Sequence, residues 1–186
     1  MAGTPRRNKR ARVPQAERRA EVIEAALIEF GKRGFDGTTT SMIAERAGIQ
    51  QPYIYALFEN KRHLFLACQE TLYGRMLTVF EAEIVQSDDS AERLRKIGLA
   101  YLQLLEDDSW VQCHLQVLAA SGHPELREPI RDAFIGAFDR IAEITEADPH
   151  RIAQFFAGGT LLNALRAMDA PAEMLEHLSG GLSRRS

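Results

Sequence analysis

The chain has 186 residues, 45% of them apolar, and a formal net charge of −3. That is enough apolar material to bury a core, in one domain or in a small one plus a medium one, and it excludes a disordered chain. The near-neutral sum hides a split. Residues 1–63 carry 12 Lys and Arg against 7 Asp and Glu, or +5, whereas residues 64–186 carry 11 against 19, or −8. A polyanion is drawn to the first third and repelled by the rest, which argues against general compaction of nucleic acid by the whole surface.

In chain order, residues 1–13 form a basic tail with Arg6, Arg7, Lys9, Arg10 and Arg12 and no acidic residue. Lacking an apolar run, the tail is not a secretory signal, and with no stretch of about 20 apolar residues elsewhere the expected location is the cytosol, with no membrane contact. The spacing of Ile23, Ala26, Leu27 and Phe30 predicts a helix from about Pro14 to Gly34, with Phe35 closing its base. Thr39 is placed to cap a short helix starting near Thr40, whose buried face is Ile43, Ala44 and Ala47. Gly48 ends that helix because glycine takes a positive φ without strain. The chain then turns through Ile49 into a second short helix at about Gln51 and Pro52. There Ile54, Leu57 and Phe58 point inward and leave Gln50, Gln51, Tyr53 and Tyr55 at the outer, N-terminal side. Asn60 caps a further helix from Lys61. Two short helices joined by a tight turn, with basic residues around them, are a device for reading the DNA major groove. Glutamine can pair with adenine there, an aromatic ring can touch a thymine methyl, and Thr39 and Lys61 suit phosphates.

The paired threonines before Ile43-Ala44, then Ala47-Gly48-Ile49, Tyr55, Phe58, Lys61 and Leu64, resemble the N-terminal signature of the TetR family of bacterial transcriptional regulators. The motif covers about fifty residues; beyond it the likeness is the helical pattern alone. Gln50, Thr40 and Arg62 depart from the family's usual serine or threonine, valine and acidic residue, which bears on operator preference rather than on fold. The resemblance implies a helix-turn-helix domain over 14–60 and a helical effector-binding and dimerisation domain over 61–186. It also implies a homodimer that binds a double-stranded operator and is released by a small effector.

The remaining chain predicts helices from Lys61 to about Gln86, Ser90–Glu106, Trp110–Ala120, Glu125–Ile144, Pro149–Met168 and Ala172–Leu182, separated by cap and turn signals. Strand signals are absent, so the expected class is all-α. Met76, Phe80, Tyr101, Leu105, Trp110, His114, Leu118, Phe134 and Phe138 are candidates to line an apolar effector pocket between helices, although each alone is as readily core. Phe155, Phe156, Gly158, Gly159, Leu162 and Leu165 make a helix apolar over most of its circumference. With Met174, Leu175 and Leu178 they are candidates for a dimer interface, with one face inward and one outward. No nucleophile elbow, phosphate loop or metal motif appears, so neither catalysis nor a cofactor or metal is expected. Cys68 and Cys113 lack metal spacing and read as buried thiols. The alternative to an effector-responsive regulator is a sequence-tolerant DNA-binding protein without an effector.

Overall fold

A computed structural model describes residues 14–85 and 88–175. Among them every regular element is helical. Helix α1 spans Gln15–Gly37 but breaks at Gly34, which sits at φ 69° and ψ −177°. The break leaves carbonyls to satisfy, and the buried Thr38 hydroxyl, held close to those of Glu29 and Gly34 at 3.0 and 2.8 Å, is placed to do so. Gly34 also tolerates the close approach of α6, because a Cβ there would lie 2.7 Å from Gln116 Oε1.

Helix α2, Thr40–Arg46, starts at Thr39, whose side chain accepts from the Met42 N–H. Its end is a Schellman motif. Gly48, at φ 65°, donates to Glu45 O, and Ile49 donates to Ala44 O at 3.0 Å, so the last carbonyls are satisfied as the chain reverses. Helix α3 spans Gln51–Leu57 with Pro52 in its first turn and no side-chain cap from Gln50. The buried carboxylate of Glu29 in α1 accepts from Arg46 of α2 at 2.6 Å and Arg33 at 2.8 Å, clamping α2 onto α1. Ile43 and Ile54 are fully buried beneath this clamp.

Helix α4, Lys61–Glu83, is capped by Asn60, which accepts from the His63 N–H. Helices α5 (Ser90–Leu104), α6 (Asp108–Ala119) and α8 (Pro149–Ala167) start at the capping carboxylates Asp89, Asp107 and Asp148. A short 3₁₀ turn over Ala120–Gly122 leads into α7, Pro124–Thr145. Residues 172–175 begin a last helix; its expected continuation to Leu182, including Leu178, lies outside the described residues, as do Arg6, Arg7 and Arg10.

One continuous apolar core runs from α1 through α4 and α6 into α7 and α8. At its N-terminal end Phe65 meets both Phe30 and Phe35 edge to face, with centroids of Phe30 and Phe65 4.9 Å apart. Helix α1 packs most heavily on α6. The N-terminal helices are therefore joined to the rest of the molecule through α1 as well as through α4. No described helix is long and apolar enough to cross a membrane.

Candidate nucleic-acid interface and ligand cavity

The outer edge of α3 is organised by a small polar network. Gln51 Nε2 donates to Thr40 Oγ1 at 2.7 Å, and Thr40 Oγ1 lies 3.0 Å from the Tyr55 hydroxyl. Thr40 is buried and so fixes the other two, whose outer atoms face solvent. Tyr53 and Tyr55 are 41% and 50% exposed, so both rings lie largely on the surface of this seven-residue helix. Gln50 and Thr39 are exposed beside them. Lys61 is placed differently from the rest. Its ammonium donates to Phe35 O at 2.8 Å and Thr38 O at 3.2 Å and lies 4.3 Å from the centre of the Phe35 ring. The charge braces the α1–α2 junction from the start of α4, and a phosphate would have to share it.

The second feature is a narrow cavity of about 30 Å³, partly open to solvent, lined by residues of α4, α5, α6, α7 and α8. Of the residues expected to line a pocket, Met76, Tyr101, His114 and Phe134 are on its wall. Tyr73, Ala137, Ile141, Phe155, Phe156, Gly159 and Thr160 complete it. Phe80 is not on the wall: it is core, held between the rings of Tyr101 and Phe155 at 6.3 and 6.0 Å. Trp110 lies behind His114, stacked flat on it with centroids 5.1 Å apart and planes within 4°. Leu105 faces a different groove with Leu102, Leu162, Arg166 and Leu175. Leu118 is half-buried off the cavity, and Phe138 leans on Phe156 from outside it.

Burial sets the protonation states here. It lowers the His114 imidazole to about 4 and raises the Tyr73 hydroxyl to about 12. Both groups are neutral at ordinary pH. Burial pushes Cys113 up to about 12 and holds Cys68 well above the ordinary thiol value, so both buried cysteines stay as inert thiols.

Helix α8 separates into two faces that its sequence does not distinguish. Phe155, Gly159, Leu162 and Leu165 are buried within the protomer, and Phe156 packs between Phe134 and Phe138. These positions face the protomer's own core. The outward apolar face is instead Ala157, Leu161, Ala164 and Met168, with Leu161 and Met168 exposed and Met174 exposed beyond them. Gly158 is half-buried at the edge of that face, and Leu175 packs against the core.

A buttressed three-helix unit with an exposed second short helix defines a helix-turn-helix protein. Residues 22–68 match the family described as bacterial regulatory proteins, tetR family. Over these residues the chain is similar to that family's N-terminal DNA-binding domain. It is 32% identical over 108 residues to the HTH-type transcriptional activator FasR of Mycolicibacterium smegmatis, covering 58% of this chain and 48% of that protein. It is 49% identical over 88 residues to the class A tetracycline repressor from transposon 1721 of Escherichia coli, covering 43% of this chain and 39% of the other. The matches thus span about half, or less, of these relatives' length. The fold is also that of FadR from Bacillus subtilis, solved with stearoyl-CoA, with a TM-score of 0.74 at 20% identity over 88% of this chain and 95% of that one.

Proposed function

We propose that the chain is a ligand-responsive transcriptional repressor that binds a palindromic operator as a homodimer and is released by a small apolar or amphipathic molecule. Residues 14–60 carry the reading head, with Gln50, Gln51 and Tyr53 toward base edges and Thr39 and Tyr55 toward phosphates. Residues 61–186 hold the effector and the partner subunit. Lys61 serves first as a brace, and the basic tail with Arg6, Arg7 and Arg10 adds attraction that does not depend on sequence.

The observation that carries this reading is the arrangement of an exposed α3 edge on helices that pack directly against the cavity domain, through α1 on α6 and through α4 itself. A molecule that wedges α6 or α4 moves the head. In a dimer, two heads must match half-sites about one helical turn apart (~34–36 Å), so small displacements decide binding. Such a ligand releases DNA only as far as it prefers the conformation that misfits the operator, typically by about 1–3 kcal/mol. The aromatic and aliphatic wall supports an apolar effector, as does the likeness to a regulator solved with stearoyl-CoA. Repression is the simpler sign of regulation, since an obstacle lifted by its ligand needs no contact with polymerase.

The test is operator affinity, measured by fluorescence anisotropy on a duplex selected from a random pool, with and without apolar small molecules that bind the protein. Ligands that bind and never shift operator affinity would contradict release by ligand.

A further inference from the structure

Four polar side chains line the cavity, and they fall into two pairs. Tyr101 donates its hydroxyl to Gly159 O at 3.2 Å, and Thr160 donates to Phe156 O at 2.8 Å, so both are committed to carbonyls of α8. The Tyr73 hydroxyl oxygen and His114 Nδ1 are buried, and among the described residues neither has a hydrogen-bond partner. Gln69 donates Nε2 to Ile130 O at 3.3 Å. The Tyr73 and His114 rings are 5.9 Å apart, which puts the two uncommitted groups at one end of an otherwise apolar chamber. Among the described residues no Lys or Arg lines it.

We propose that the cavity takes an apolar molecule carrying one uncharged hydrogen-bonding group, an alcohol, phenol or carbonyl, at the Tyr73–His114 end, and discriminates against free carboxylates. This rests on the reading of the cavity as the effector site. Buried polar atoms that lack protein partners gain most from a ligand that supplies the missing hydrogen bonds. A tyrosine hydroxyl and a neutral imidazole together offer a donor and an acceptor, which matches a hydroxyl or a carbonyl equally well. An anion gains neither a cation nor solvent there, and its desolvation is uncompensated. The neutral state of His114, imposed by its burial, removes the one group that could have supplied positive charge.

Trp110 is the single tryptophan of the chain and lies flat on His114, so its fluorescence reports on this end of the cavity. The experiment titrates the full chain with 1-octanol and with octanoate at neutral pH, following Trp110 emission and the heat of binding. The expected result is saturable binding of 1-octanol at least about tenfold tighter than octanoate. Tyr73→Phe and His114→Phe each weaken 1-octanol several-fold, and Tyr73→Phe, which removes only an unpaired hydroxyl, keeps the fold. Octanoate binding as tightly as 1-octanol, or 1-octanol affinity indifferent to Tyr73→Phe, overturns the proposed class while leaving the cavity a ligand site. If neither probe binds, the reading of the cavity as the effector site fails, and the inference with it.

Discussion

Arg62, at the start of α4, donates from Nε to the carbonyl oxygen of Glu125 in α7 at 3.1 Å. That carbonyl is available because residue 129, four positions on, is a proline with no N–H to offer it. Beside this contact His123 Nε2 lies 3.2 Å from Asp36 Oδ2, and the His123 ring packs edge to face on Phe35. The first turn of α7 therefore touches both the end of α1 and the start of α4. We predict that Arg62→Ala costs about 0.5–1.5 kcal/mol in urea unfolding, the worth of one partly exposed hydrogen bond. Its clearer signature is faster amide hydrogen exchange in the first turn of α7 and at 35–37, with the remaining helices unchanged.

Gly31 is a tight contact between the head and the cavity domain, set against backbone and Cβ atoms of α6. A Cβ there would lie 3.2 Å from the Cys113 amide nitrogen and 3.3 Å from Gln112 Cβ, neither of which can easily move aside. Gly31→Val should destabilise the protein by about 1–3 kcal/mol through overpacking and weaken operator binding by displacing α1 from α6. Gly74, in the middle of α4, faces open space, so Gly74→Ala should stabilise by about 0.5–1 kcal/mol. Urea denaturation of the two variants side by side checks both signs.

At the α3 edge, Gln51→Ala should alter preference at one base-pair position of each half-site by about 1–3 kcal/mol while leaving affinity for random DNA unchanged. Replacing Arg6, Arg7 and Arg10 with Ala should do the opposite. Affinity for all duplexes falls, and the slope of log affinity against log salt flattens by about 0.9 per lost phosphate contact. Salt-titrated anisotropy on cognate and scrambled duplexes separates the two effects.

Leu161 is 46% exposed on the outward face of α8, in line with Ala157, Ala164 and Met168. Leu161→Glu should leave the protomer's fold intact, shift sedimentation from dimer to monomer, and abolish high-affinity operator binding.

His114 makes stability depend on pH. Its folded pKa of about 4 lies below the ordinary value of 6.5, so between those limits the unfolded chain takes up a proton that the folded protein refuses. Stability is unaffected by His114 above about pH 6.5 and falls as the pH drops toward 4, by about 3 kcal/mol in all. His114→Phe should remove that part of the acid sensitivity, read as a smaller difference in unfolding free energy between pH 7 and pH 4.5.

The head was legible because its signals are local. Thr39, Gly48 and Asn60 act on backbone groups within a few residues of themselves, and the structure places a cap, a Schellman turn and a cap there. The break at Gly34 was not, since its Phe35–Gly37 continuation depends on Thr38 reaching back and on Gln116 approaching from α6. The same limit applies to Glu29 with Arg46 and to Arg62 with Glu125, partners far apart in sequence. In α8 an apolar residue at nearly every turn position erases the periodicity that tells inside from outside, so Phe155 and Leu162 could not be separated from Leu161 and Met168 by pattern. In the cavity, Met76, Tyr101, His114 and Phe134 share a wall, but Tyr73 carried no sign of its role. An isolated tyrosine on a helix is usually a satisfied core residue, and only its unpaired buried hydroxyl marks it.

The central claim is that two identical heads, set by a dimer of this chain, read a symmetric duplex. Its most direct measurement is selection from a random DNA pool with the purified protein, followed by affinity for the recovered sequence against scrambled competitor. The account predicts an inverted repeat with half-sites about one helical turn apart, bound at least about 10³-fold more tightly than random DNA. A pool that stays random, or a recovered site without two-fold symmetry, would contradict it.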